Sequence, residues 1–310
     1  MDLRDRVVGS MLGLALGDAL GAPFEFLRSR NVPDPIPAFE LGWLDLPAGS
    51  TTDDTALARN LARSLAERKR FDPDDLVRRH LEWFASDPPD VGTITRRVLK
   101  RLADCGAASG AAAAEAAMAV WRERGPEVSA GNGSVTYCAP LGLAYANRPE
   151  RLLELAPAMS ALTHADERCR TAVMAVTLSV AALVRGEGRR GAAEAGLGPV
   201  LERGGGEELE FLVEHVGRSR PIDGPDQGFC LFTAAAGFQA LLRFDEFEPA
   251  LLHVVGLGGD TDTNGAVTGG LLGAAVGLDG LPVAWLDRLR EVDEIRDDAE
   301  ALVPLSRAVG

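Results

Sequence analysis

Four aspartates stand in two short clusters whose chemistry suits hard metal ions: Thr51-Thr52-Asp53-Asp54-Thr55, and Gly258-Gly259-Asp260-Thr261-Asp262-Thr263-Asn264. Each pairs adjacent or alternating carboxylates with threonine hydroxyls, and each precedes an apolar helical run. Such oxygen donors fit magnesium, manganese or calcium and fit zinc poorly. Taken alone, the first cluster reads more simply as a helix start, since threonine is a good N-cap and acids in a first turn gain about 0.3–1 kcal/mol. The second resists that reading. Asp260 and Asp262 lead straight into a glycine-striped apolar segment, and buried carboxylates are costly unless a cation or donors satisfy them. If the fold joins the clusters, four carboxylates and two hydroxyls can hold a pair of divalent cations that activate water and clamp a diol or phosphate.

The elements that must position these residues read as helices. Asp53 to Arg70, Asp74 to Ala85, Gly110 to Arg124, Glu167 to Arg185, Glu207 to Val216 and Glu248 to Val255 carry apolar residues three and four apart. No run of alternating β-branched residues predicts a strand, and aromatics are only 5%, so an all-α interior of closely packed helices is expected. Breakers predict loops at Arg30 to Ser50, Gly125 to Gly133, Gly186 to Gly206 and Gly217 to Gly228. The first, with Pro33, Pro35, Pro37 and Pro47, is long enough to be functional. Glycines recur every fourth residue at Gly9, Gly13, Gly17 and Gly21, and again at Gly265, Gly269, Gly273 and Gly277. Each glycine costs a helix about 1 kcal/mol relative to alanine, so the spacing predicts two buried helices whose bare stripes admit another backbone, each the other's among the candidates.

No linker divides the 310 residues, so one domain over 1–310 is expected. The net charge of −14 disfavours non-specific binding to nucleic acid phosphates. Cys105, Cys138, Cys169 and Cys230 form no CxxC element, which predicts reduced thiols and a cytoplasmic setting. Asp2 and Asp5 are unlike the basic start of a signal peptide. The longest uncharged apolar runs, Thr171 to Val184 and Gly265 to Leu278, fall short of the roughly 20 residues of a membrane span, so no membrane partner is expected.

Across essentially its whole length the chain resembles the ADP-ribosylglycohydrolases. The resemblance rests on Gly13-Leu14-Ala15-Leu16-Gly17-Asp18-Ala19-Leu20-Gly21-Ala22-Pro23-Phe24-Glu25, Thr52-Asp53-Asp54-Thr55, Gly131-Asn132-Gly133, Leu162-Thr163-His164 and Leu257-Gly258-Gly259-Asp260-Thr261-Asp262-Thr263, in that order. It implies a compact, all-α, single-domain orthogonal helix bundle with a dinuclear magnesium or manganese cleft. It further implies a hydrolase that cleaves the bond between C1″ of ADP-ribose and an acceptor, on an ADP-ribosylated protein or related conjugate. By the same resemblance Thr52, Asp53, Asp54, Asp260, Asp262 and Thr263 are the metal set, and Glu25, Asp54 and Asp262 the catalytic carboxylates. Gly131, Asn132, Gly133 and Ser134 match a loop that wraps the ribose and diphosphate, His164 a histidine near the ligand, and Phe229 an aromatic near the adenine. The stretch after Glu25 matches a flap.

Plainer readings stand beside these roles. Asn132 between glycines suits a turn, a lone histidine such as His164 is more often a core residue, and Phe229 has a core-packing reading. Asp18 reads as a satisfied structural carboxylate, and His80, His215 and His253 carry no partner spacing. Where many relatives follow Gly-Asn-Gly with Met-Arg, this chain has Thr136-Tyr137, a change expected to leave the metal centre alone and to bear on substrate preference. Two rivals remain. One is a non-catalytic ADP-ribose-binding or structural member of the family, against which the intact metal set argues. The other is a phosphohydrolase, which would call for histidine among the metal ligands.

Overall fold

The computed structural model describes residues 1–308. Its helices are α1 (Leu3–Gly21), α2 (Asp53–Arg68), α3 (Pro73–Phe84), α4 (Thr93–Cys105), α5 (Gly110–Arg124), α6 (Gly133–Thr136), α7 (Ala139–Ala144), α8 (Pro149–Ser160) and α9 (Glu167–Val184). They continue with α10 (Arg189–Glu202), α11 (Glu207–His215), α12 (Cys230–Arg243), α13 (Phe247–Gly256), α14 (Thr261–Val276), α15 (Val283–Leu286), α16 (Val292–Glu300) and α17 (Val303–Arg307). The fold is all-α, as expected. Helix starts follow their caps: the side chains of Thr52, Asp72, Ser109 and Asp166 each accept a backbone N–H in the first turn of α2, α3, α5 and α9.

α1 and α14 lie antiparallel at the centre, glycine stripe against glycine stripe. A Cβ on Gly13, Gly17 or Gly9 would overlap the carbonyl oxygen of Gly269, Gly265 or Gly273, and the reverse holds from the α14 side. Hydrogen bonds pin the pair along its length: Ser10 Oγ donates to the Gly270 carbonyl at 2.8 Å, and Thr261 Oγ1 to that of Gly21 at 2.8 Å. The last glycine departs from the stripe. Gly277 caps α14 with φ 72° and faces Asp5 instead of a helix backbone. Helices α9, α12 and α13 cover the rest of α14, which is buried from Thr261 to Ala274.

By length and apolarity α1 is able to cross a membrane, although Asp18 interrupts its uncharged run; 94% of its most apolar stretch is buried inside the fold. Packing against α14 therefore accounts for its composition.

The expected loop from Gly186 to Gly206 is instead α10. Gly196 is the reason: it lets α10 press on α9, where a Cβ would meet the Ala175 carbonyl, and Ser179 Oγ of α9 donates to the Ala192 carbonyl at 2.6 Å. Tertiary contact overrides the weak propensity of a stretch with three glycines and a proline. Helices α4, α8 and α12 also lie outside the segments whose pattern predicts helix.

Two short strands were not expected. β1 (Leu27–Arg28) pairs antiparallel with β2 (Gly258–Gly259), Leu27 opposite Gly259 and Arg28 opposite Gly258. Gly258 and Gly259 take φ 71° and 81°, a backbone that side chains disfavour. The ladder stitches the root of the proline-rich excursion to the loop that carries Asp260. Beyond it the excursion is irregular, anchored by Phe39 against Trp285 (5.4 Å between rings) and by the Gly49 carbonyl, which accepts from Arg290 N at 2.9 Å.

Candidate active site

Asp53 and Asp54 open α2, and a buried carboxylate from α1 sets their position. Asp18 accepts the backbone N–H groups of Thr52 and Thr55, each at 3.0 Å, and the Thr55 hydroxyl. Burial pushes its carboxyl up to about 6 while the Thr55 and Thr52 bonds pull it down. It is the satisfied structural carboxylate that its place on the glycine helix suggests.

Asp260 and Asp262 open α14, and the fold brings them to the same cavity as Asp53, Asp54, Thr263 and Glu25, a space of about 720 Å³. Ligand atoms of Glu25, Asp260 and Asp262 lie within 4.8 Å of one another. Burial, then repulsion from Asp53, Asp18 and Asp260, holds Asp54 well above the usual carboxylate range, and burial, then Asp260, Glu25 and Asp54, does the same to Asp262. Burial, then Asp260, Asp90 and Asp53, pushes Glu25 up to about 8, against a hydrogen bond from Trp43. Asp54 Oδ2 is buried without a hydrogen-bond partner, and none of these five carboxylates has an ion-pair partner among the described residues. Crowded, unneutralised carboxylates with hydroxyls alongside are a donor set that fits a hard divalent cation.

Thr52 stands apart from this set. Its hydroxyl accepts from Asp54 N at 3.3 Å as the helix cap, and it does not line the cavity. Ser134 is also outside the lining, fully buried with its Oγ 2.9 Å from that of Ser160. Both spacings mark the right segment, but the side chains turn inward.

Gly131, Asn132, Gly133, His164 and Phe229 all line the cavity. The glycines are bare because of their neighbours: a Cβ at Gly133 would stand 3.0 Å from His164 Cε1, and one at Gly131 2.8 Å from Ile94 Cδ1. His164 is buried, which lowers its pKa to about 4 and keeps the ring neutral near pH 7. Its Nδ1 is 2.9 Å from Thr163 Oγ1, which in turn is 2.9 Å from the Tyr137 hydroxyl. Phe229 meets Phe232 edge to face at 5.3 Å, and the Arg168 guanidinium lies 5.5 Å over its ring. The Thr136 hydroxyl bonds the Gly133 carbonyl at 2.7 Å and also sits beside Asp54, where it lowers that carboxyl's pKa.

Several lining residues carry no isolated signal in the sequence. Asp90, in the Pro88-Pro89-Asp90-Val91-Gly92 loop, faces Asp53; burial, then Asp90, raises Asp53 to about 7, opposed by the Gly92 N–H that donates to Asp53 Oδ2 at 3.0 Å. Only its position between two prolines and a glycine, in a loop ahead of a helix, hints at a role. Arg124 and Arg168 reach the cavity from α5 and α9 and fold around the Pro126–Val128 turn, donating to the Val128 and Pro126 carbonyls. Negative and positive groups thus meet one space, with Arg168 ion-paired to Asp166 at 2.9 Å.

Comparison with known proteins matches this architecture. The family model described as ADP-ribosylglycohydrolase covers residues 1–310. The chain is 30% identical to ADP-ribosyl-[dinitrogen reductase] glycohydrolase of Rhodospirillum rubrum, over 98% of this chain and 97% of that protein. It is 27% identical to ADP-ribosylarginine hydrolase Tri1 of Serratia proteamaculans, over 96% and 79%. A solved structure titled ADP-ribosylglycohydrolase-related protein complex superposes with a TM-score of 0.81 at 34% identity, over 98% of this chain and 99% of that one. With its carboxylate-lined cavity framed by two glycine helices, the chain belongs to the ADP-ribosylglycohydrolase family.

Proposed function

We propose that the protein hydrolyses the C1″ glycosidic bond between ADP-ribose and an acceptor on a protein or small conjugate, using magnesium or manganese. The observation that carries this reading is the convergence of Glu25, Asp53, Asp54, Asp260, Asp262 and Thr263 on a cavity that also holds Arg124, Arg168 and Phe229. Two divalent cations, when bound, would let these carboxylates ionise together and would supply Lewis acidity toward a water and the ribose diol. The chain's own residues divide the remaining tasks. Arg124 attracts the diphosphate, with Arg168 beside it held by an ion pair to Asp166 at 2.9 Å, and Gly131 and Gly133 allow the ligand to approach the backbone. Phe229, under the Arg168 guanidinium, offers a face to the adenine. Glu25 would hold or move a proton at the reacting end, and the anionic wall with Asp54 and Asp262 would stabilise positive charge developing at C1″. A reducing cytoplasm suits the four free thiols.

The test is mass spectrometry of products from a panel of ADP-ribosylated acceptors (arginine, serine, nucleic acid base, small molecule) with and without chelator. Release of ADP-ribose from at least one acceptor, lost with chelator, is expected. Release from none would favour a family member that binds ADP-ribose without cleaving it.

The excursion after Glu25 has a measurable consequence for the same reading. Residues 30–48 are expected to exchange amide hydrogens faster than Leu27 and Arg28, which the β-ladder holds, and to slow when ADP-ribose binds. Equal exchange with and without ligand would remove the flap from the mechanism.

A further inference from the structure

A chain of polar side chains runs from Asp260 into the core and serves no hydrogen-bonding need of the backbone. Asn132 Nδ2 donates to Asp260 Oδ2 at 2.9 Å and to Thr233 Oγ1 at 3.0 Å, and Thr233 Oγ1 donates to Asn264 Oδ1 at 2.7 Å. Thr233 on α12 and Asn264 on α14 are fully buried, and Asn132 and Asp260 nearly so. Their surroundings are apolar: Ala234, Ala235, Val267 and Leu271 belong to the same α12–α14 interface. Apolar replacements of such a set are often neutral or stabilising, so packing alone gives no reason for polar groups here. The chain is also incompletely satisfied at its far end, where Asn264 Nδ2 and the buried Thr268 hydroxyl lack partners.

Both amide protons of Asn132 are spent within the protein. That fact separates it from the role of ribose or diphosphate donor, and it fixes one oxygen of Asp260 toward the core. We infer that Asn132, Thr233 and Asn264 form a positioning relay that holds the Asp260 carboxylate in orientation for the metal. Asp260 also offers a carboxylate oxygen to the cluster with Glu25 and Asp262. Thr233 is the hinge of the relay, because its hydroxyl accepts from Asn132 and donates to Asn264 at once. Ligand-orienting groups of this kind typically change metal affinity by about 10- to 100-fold when removed. The relay rests on the metal reading above, and the experiment separates the two.

Mn(II) binding to the full chain is measured by electron paramagnetic resonance titration for the parent, Thr233→Val, Thr233→Ala and Thr233→Ser, with circular dichroism as the folding control. Valine keeps the shape and removes the hydroxyl; serine keeps the hydroxyl and removes a methyl. The expected result is affinity weakened by about 10-fold or more in Thr233→Val, with helical content retained, and affinity close to the parent in Thr233→Ser. Should Thr233→Val not fold, Thr233→Ala is read by the same criterion. Parent-like affinity in the hydroxyl-free variant overturns the relay, as does equal weakening in Thr233→Ser, which would assign the effect to methyl packing. A parent that binds no Mn(II) overturns the metal reading itself, and the relay with it.

Discussion

Asp262→Asn is expected to lower turnover by about 10²- to 10³-fold or more while leaving the metal-free protein at least as stable as the parent. The two halves of that expectation share one cause. Asp262 is fully buried and pushed upward by burial, then by Asp260, Glu25 and Asp54, so its charge is a burden on the empty fold. Asparagine keeps the Oδ1 that accepts from Thr263 N at 2.9 Å, and removes the repulsion along with the ligand charge. A structural carboxylate behaves in the opposite sense, because its loss removes stabilising contacts. Turnover assays beside thermal unfolding of chelated protein make the comparison, and reversible chelation should reproduce the loss of activity. Full activity in Asp262→Asn would reduce the aspartate clusters to helix caps.

Replacing Gly269, in the middle of the α14 stripe, should disrupt folding severely. A Cβ there would overlap the Gly13 carbonyl, and because that neighbour is backbone, no side chain can swing aside. Gly269→Ala is expected to cost about 1–3 kcal/mol or more, and Gly269→Leu to prevent the native packing altogether. Metal binding should fall in parallel, since α14 carries Asp262 and Thr263. Gly198 in α10 is the matched control: a Cβ there meets nothing within 4 Å, so Gly198→Ala should stabilise by about 0.4–1 kcal/mol. Denaturant titration of the three variants decides the matter. A Gly269→Leu protein as stable as the parent would make the stripe a compositional accident.

The parts of this structure that were legible in the sequence are those with a period or a local chemistry. Every-fourth glycine announces a close helix pair because nothing else explains its cost, and paired aspartates before a helix announce a shared destination. The helix start at Asp53 could be read from Thr52. What stayed hidden depends on a partner far along the chain. α10 looks like a loop because its one packed glycine, Gly196, is justified only by the Ala175 carbonyl. Asp90 acquires meaning only beside Asp53, and Arg168 only over Phe229. The direction of a side chain is hidden for the same reason. The spacing that singles out Thr52 and Ser134 locates their segments, while neighbours such as Ser160 decide that the hydroxyls face inward.

The glycine-to-glycine pairing of α1 with α14 also sets a schedule for assembly. Ser10 and Gly270, bonded near one end of that pairing, are separated by 260 positions. Closing so long a loop adds little equilibrium cost, because the entropy grows only with the logarithm of length, but contacts this distant in sequence slow the folding reaction. At a synthesis rate of about 5–20 residues per second, α1 waits on the order of 10–50 s before the helix that covers it has been made. During that interval the glycine stripe of α1 lacks the helix that covers it. Because Asp18 on α1 places Asp53 and Asp54, while α14 brings Asp262, metal capture is expected as one of the last events of folding.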